Sequence, residues 1–104
     1  MPATYELTEH PSGDVLILRA TGKFDRDAGE AVAGRMNAHS GPCVLNMAGV
    51  EYISSTGVAF LAKLSAGEGL RIASPAECVR HTLSLAGVER IMAIYADEAA
   101  AKQG

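Results

Sequence analysis

The sequence predicts an α/β fold: a mixed, mostly parallel central sheet of about five strands with four helices, in the order ββαβαβαβα. Three observations carry this expectation. Short β-branched and aliphatic runs alternate with segments of helical length, the pattern of strands joined by crossover helices. The first two runs have only a turn between them, His10-Pro11-Ser12-Gly13-Asp14, so they form an antiparallel hairpin at the edge. Cys43-Val44-Leu45-Asn46-Met47 is mostly apolar at successive positions, as a central strand covered on both faces requires.

The hairpin strands are placed at Thr4 to Thr8 and Val15 to Ala20. After Gly22-Lys23-Phe24-Asp25, an Ala-rich stretch to about Ala38 makes the first helix, with Asp25 or Asp27 as N-cap and Glu30 near its positive end. Gly29 and Gly34 weaken that helix. Gly41-Pro42 breaks the chain ahead of the central strand. Ser55 to Ala66 has helical length and stops at Gly67-Glu68-Gly69, and Leu70 to Ala73 forms the next strand. Ser74-Pro75-Ala76-Glu77 has the pattern of a capping box, with Ser74 as N-cap and Pro75 at the first helical position. Leu83, Leu85 and Val88 continue this helix's apolar pattern toward Gly87. Ile91 to Tyr95 is the last strand and Asp97 to Lys102 a short terminal helix. Parallel strands joined this way need crossovers of one hand.

With 104 residues, 48% of them apolar and 20% charged, the chain is expected to be one domain over residues 1–104, with a core that needs neither metal nor disulfide. A net charge of -3 offers no basic field for a phosphodiester backbone, so no nucleic-acid partner is expected. The stretch Met1-Pro2-Ala3-Thr4-Tyr5-Glu6 has neither the basic nor the apolar part of a secretory signal, which predicts a cytoplasmic location. Charged residues interrupt every apolar run before the roughly 20 residues a membrane-spanning helix needs, so direct membrane insertion is not expected. Cys43 and Cys78 lack C-x-x-C spacing, and His10, His39 and His81 are scattered. No metal or cofactor is implied.

The informative run is Val44 through Val58, where a buried strand delivers Ser54, Ser55, Thr56 and Gly57 to the start of a helix. Unpaired N–H groups and the helix dipole favour an anion there, including a phosphate carried on a serine. The simpler alternative is that Ser54 or Ser55 only caps the helix.

This run resembles the STAS-domain pattern, in which a strand ending D-L-S-G-V leads to D-S-S-G at the head of the second helix. Here the two parts read Asn46-Met47-Ala48-Gly49-Val50 and Ser54-Ser55-Thr56-Gly57. Gly22-Lys23-Phe24-Asp25 is similar to the family's G-x-L-D turn, and Ser74-Pro75 through Leu83, Ala86-Gly87-Val88 and Ile91 to its closing pattern, so the likeness covers nearly the whole chain. It implies the STAS fold and the role of an anti-sigma factor antagonist. Unphosphorylated, such a domain binds an anti-sigma factor that is also a serine kinase, and the sigma factor is released. Phosphorylation of the motif serine separates the complex, and a serine phosphatase reverses the mark. By this resemblance the acceptor is Ser55, with Thr56 second and Ser54 third, and Asp25, Ser54, Thr56 and Gly57 are partner-binding residues, to which helix geometry adds Phe60. Asn46 and Ser54 stand where the family often has aspartate, which lowers the negative charge around the motif.

At 100° per residue, Val58, Leu61, Ala62, Leu64 and Ser65 fall on one side of the second helix, with Ala59, Phe60 and Lys63 toward the other. Phe60 is then either an exposed anchor for a partner or a ring packed under a neighbouring helix. An enzyme is not expected: no G-x-S-x-G elbow, phosphate-binding loop or G-x-G-x-x-G run is present. The other class of function is a STAS adaptor, or a subunit of a lipid-transport or stress-signalling complex, without a sigma factor.

Overall fold

The computed structural model describes residues 4–104. Met1–Ala3, the head of the stretch read above for a secretory signal, lie outside the described residues. The elements are β1 (Tyr5–Ser12), β2 (Val15–Phe24), α1 (Arg26–Asn37), β3 (Cys43–Ile53), α2 (Ser55–Ala62), β4 (Arg71–Ala73), α3 (Glu77–Ala86), β5 (Ala93–Tyr95) and α4 (Glu98–Gln103). The five strands lie in the order β1-β2-β3-β4-β5, with β1 antiparallel to β2 and the rest parallel. The predicted order of elements and the mixed sheet are observed.

Strand alternation divides the core between the two faces of the sheet. Leu16, Leu18 and Ala20 of β2 and Leu45 and Met47 of β3 are buried with Ala28 and Val32 of α1, Val58 and Leu61 of α2, and Val79 and Leu83 of α3. Ile17 and Val44 point the other way and are buried with Ala73 and Ala101 under α4. Each parallel crossover advances in the same direction, so crossovers of one hand bring α1, α2 and α3 to one face. β3 is central, as its double-sided apolar pattern predicts.

The hairpin strands run longer than predicted, Ser12 pairing with Val15 across Gly13-Asp14. Pro11, which has no N–H to donate, is accommodated because β1 is an edge strand. β3 also continues beyond Met47 to Ile53, through Gly49, while its register with β2 shifts twice. Such shifts bend the strand and re-aim its end. Asp25, not Asp27, caps α1, its Oδ1 accepting from Ala28 N at 3.2 Å.

Four expectations are corrected. Ser74 does not cap α3, which starts at Glu77 after Ala76 with no side-chain cap. Ser74 sits at φ 49° and its Oγ donates to Ala96 O at 3.2 Å, while Ala76 N donates to Met47 O at 3.2 Å. Bonds to Ala96, just past β5, and to Met47, inside β3, therefore hold the Ser74-Pro75-Ala76 link outside the helix. Leu85 does not join the core and is 76% exposed. The segment after α2 is not a continuous α-helix: Lys63–Gly67 is a π-turn in which Leu64 and Ser65 are both buried. There the Ser65 Oγ accepts from Ala93 N at 2.9 Å and so anchors the start of β5. A 3₁₀ turn, Glu89–Ile91, takes the first residue of the predicted last strand.

α4 is held by polar contacts. Arg19 Nε and Nη2 donate to the two Glu98 carboxylate oxygens at 2.9 and 3.0 Å, and Asn46 Nδ2 donates to Oε2 at 2.6 Å. At the other end Arg71 Nη1 donates to the carbonyls of Ala101 and Lys102 at 3.1 and 3.2 Å. The Arg19 bonds, with help from Asn46 and against partial desolvation, hold the Glu98 carboxyl down at about 2 from an ordinary 4.5. A carboxyl depressed by folding adds stability above its unfolded pKa and loses it as pH falls through the folded one. The stability gap between the protein and Glu98→Gln is therefore expected to be full at neutral pH, to narrow below about 4.5 and to close near pH 2. Chemical denaturation across that range measures it, and a pH-independent gap would sink the assignment.

Candidate functional site

The site lies where β3 hands the chain to α2. Ser54 is extended (φ -85°, ψ 167°) and is the N-cap: its Oγ accepts from Gly57 N at 3.0 Å, and its carbonyl accepts from Val58 N at 2.9 Å. Its own N–H donates to Phe24 O at 3.0 Å, which ties the head of α2 to the end of β2. That carbonyl also lies against Gly57. A Cβ on Gly57 would collide with Phe24 O and lie 3.1 Å from Ile53 Cγ1, so the position admits only glycine without rearrangement. Gly57 is thus read in steric terms: its missing side chain lets the helix start close against the backbone before Asp25.

With Ser54 committed to the cap, Ser55 is the first residue of α2. It is exposed, and among the described residues no side-chain hydrogen bond holds its hydroxyl. Thr56 is exposed beside it. The first turn of α2 has no acidic residue, so nothing there offsets the positive end of the helix dipole. The structure brings Ser54, Ser55, Thr56 and Gly57 together with the Phe24-Asp25 turn. Asp25 is half-buried, with its carboxylate used to cap α1.

Phe60 is partly packed under the neighbouring helix and partly accessible. The ring is half-buried and seats against Gly29 of α1, while its outer part lines a shallow groove of about 160 Å³ with Thr56, Ala59 and Lys63. Sequence reasoning missed the groove and the contact with Gly29. The only signal for that contact was a glycine inside a helix, and a glycine there states a cost without naming the neighbour that requires it.

Asn46 sits apart from this group, on the face of α4. Its Oδ1 accepts from Ala48 N at 2.9 Å while Nδ2 serves Glu98. An amide can donate to the Glu98 carboxylate, whereas an ionised aspartate would repel it. Two of the histidines are engaged elsewhere: His10 with Thr8 Oγ1 at 2.8 Å, and His39, whose Nε2 donates to Asp14 O at 2.9 Å. Among the described residues no group of three or more His, Cys, Asp or Glu could hold a metal ion. What the site offers is a free hydroxyl on a fixed helix start beside a partly apolar surface.

The division of labour between adjacent serines is measurable. Ser54→Ala is expected to lower stability by about 1 kcal/mol through loss of the cap, and Ser55→Ala to change it by less than about 0.5 kcal/mol. Gly57→Ala is expected to cost about 1–3 kcal/mol despite alanine's better helix propensity. Urea denaturation of the three variants decides this, and equal losses at 54 and 55 would contradict the cap assignment.

The model of the family described as "Mlab, STAS domain" matches residues 7–94. The fold is similar to an anti-sigma factor antagonist from Mycobacterium paratuberculosis, at 20% identity over 99% of this chain and 95% of the other, with a TM-score of 0.79. It is also similar to the unphosphorylated anti-sigma factor antagonist SpoIIAA of Bacillus, at 15% identity over 94% of each chain and a TM-score of 0.72. SpoIIAA has a phosphorylated structure as well. A sulfate transporter family protein from Wolinella succinogenes shares the fold at 19% identity over 88% of each chain, with a TM-score of 0.71. No curated protein matches the sequence. At these identities the solved structures speak for the fold, while the family match spans most of the chain and includes the β3–α2 junction. The chain belongs to the STAS domain family.

Proposed function

We propose that this domain is an anti-sigma factor antagonist that works by partner switching, with Ser55 as the switch. Unphosphorylated, it binds an anti-sigma factor with serine kinase activity and so releases the sigma factor. Phosphorylation of Ser55 separates the two, and a serine phosphatase restores the binding form. The domain itself carries out no catalysis. The observation that supports this most directly is the free, exposed hydroxyl of Ser55 at the first position of α2, next to a serine that already caps the helix.

The physics of the switch is local. A phosphate adds about -1.5 to -2 charges. At a helix N-terminus the unpaired N–H groups and the dipole accommodate that charge, so the fold survives. A partner closing over Ser55 would have to desolvate it, so binding fails. Asp25, Ser54, Thr56 and Phe60 form the partner-binding face in this reading, with Gly57 buried beneath it as a packing residue rather than a contact, and Thr56, exposed next to Ser55, is the second choice of acceptor. Ser54 ranks third because its hydroxyl is the cap.

A second reading is that of an adaptor or subunit in a lipid-transport or stress-signalling complex, with no sigma factor. It is favoured by the occurrence of the same fold in a sulfate transporter family protein. Mass spectrometry of the protein isolated from its own host, in growth and under stress, separates the two. Phosphate on Ser55 that changes between states is expected for the switch, and its persistent absence favours the adaptor. With the kinase partner in hand, Ser55→Glu is expected to weaken binding by a hundredfold or more. Phe60→Ala should weaken it without unfolding the domain, and unchanged affinity in calorimetry would remove Phe60 from the interface.

A further inference from the structure

Helix α1 contains two glycines with opposite surroundings. Gly34 is exposed, and a Cβ there would meet nothing within 4 Å. Gly29 is buried, and a Cβ there would lie 2.6, 2.7 and 2.9 Å from Cγ, Cβ and Cδ2 of Phe60. Inside a helix each glycine lowers the folding equilibrium constant by roughly fivefold relative to alanine. Only at residue 29 does packing supply a reason for one.

We infer that Gly29 is a positioning residue for the face beside Ser55. By lacking a side chain it lets α1 and α2 approach closely enough for Phe60 to seat against α1. The ring then forms one wall of the groove with Thr56, Ala59 and Lys63, instead of standing out over it. A side chain at 29 displaces the ring toward solvent and reshapes that groove from a helix that does not carry Ser55. The bearing on partner binding rests on the function proposed above; the control of Phe60 by Gly29 does not.

The test compares Gly29→Ala, Gly34→Ala, Phe60→Ala and Gly29→Ala/Phe60→Ala in the full chain, by thermal melting and by NMR with a soluble nitroxide as the exposure probe. Gly34→Ala is expected to raise Tm by about 4–8 °C and to leave α2 resonances in place. Gly29→Ala is expected to lower Tm, to shift the amides of Thr56, Ala59, Phe60 and Lys63, and to expose the Phe60 ring to the nitroxide. Removing the Phe60 ring eliminates the Cγ and Cδ2 contacts, so the loss in Tm caused by Gly29→Ala should fall by at least half in the Phe60→Ala background. Should Gly29→Ala fail to fold, folding of the double variant supports the same conclusion, and failure of both overturns it. A rise in Tm matching that of Gly34→Ala, with unmoved α2 resonances, overturns it too, as does a loss that is unchanged in the Phe60→Ala background. These readouts involve no partner, so they can fail while Ser55 proves to be phosphorylated, and succeed while it does not.

Discussion

The carbonyl oxygen of Phe24 receives the N–H of Ser54 and lies against the bare Cα of Gly57, at the point where β2, the cap of α1 and the head of α2 converge. Much of the site's geometry depends on that junction. Because the oxygen is backbone, it is fixed by the pairing of β2 with β3 rather than by a rotamer. Because residue 57 has no Cβ, the helix starts as close as backbone contact permits. Ser54 is thereby placed to cap, and Ser55 is left one position into the helix with its hydroxyl outside the capping scheme. Adjacent residues of the same type acquire different chemistry from a difference of one step along the chain.

The two faces of the sheet are held by different physics. On one, α1, α2 and α3 cover a continuous apolar layer that includes Leu18, Leu45, Met47, Leu61 and Leu83. On the other, a helix of six residues, too short to persist alone, buries little more than Ala101 and relies on Arg19, Asn46 and Arg71 to fix its ends. The proposed switch lies at the head of α2, which packs on the apolar face. A charge change at Ser55 thus acts on an element whose attachment is mainly hydrophobic rather than ionic.

Features that depend on neighbours in sequence were legible. The hairpin, the central strand and an aspartate cap on α1 follow from local chemistry, and each is observed, the structure choosing Asp25 over Asp27. The Ser54–Gly57 stretch stood out for the same reason, although the sequence alone left open which serine caps. Features set by contacts across the fold were not legible. Ser74 carries a strong capping pattern, yet bonds from its link to Ala96 and Met47 override it. The π-turn at Lys63–Gly67 depends on a hydrogen bond between Ser65 and a strand that begins 28 residues later. The pairing of Gly29 with Phe60 joins two helices, and no periodicity within either one announces it.

Pro11 in β1 has a consequence for how copies of this domain meet one another. An open sheet has two edges, and each unpaired row of N–H and C=O groups is a template for another strand. In β1 the proline removes one donor from that row, and Glu6 and Glu9 add charge along the strand. The opposite edge, β5, is only three residues long and ends just before the Asp97 cap of α4. Neither edge offers a long, flat, uncharged run to pair with. Sheet-to-sheet polymerisation is disfavoured from both sides, and association is left to side-chain surfaces such as the one beside Ser55.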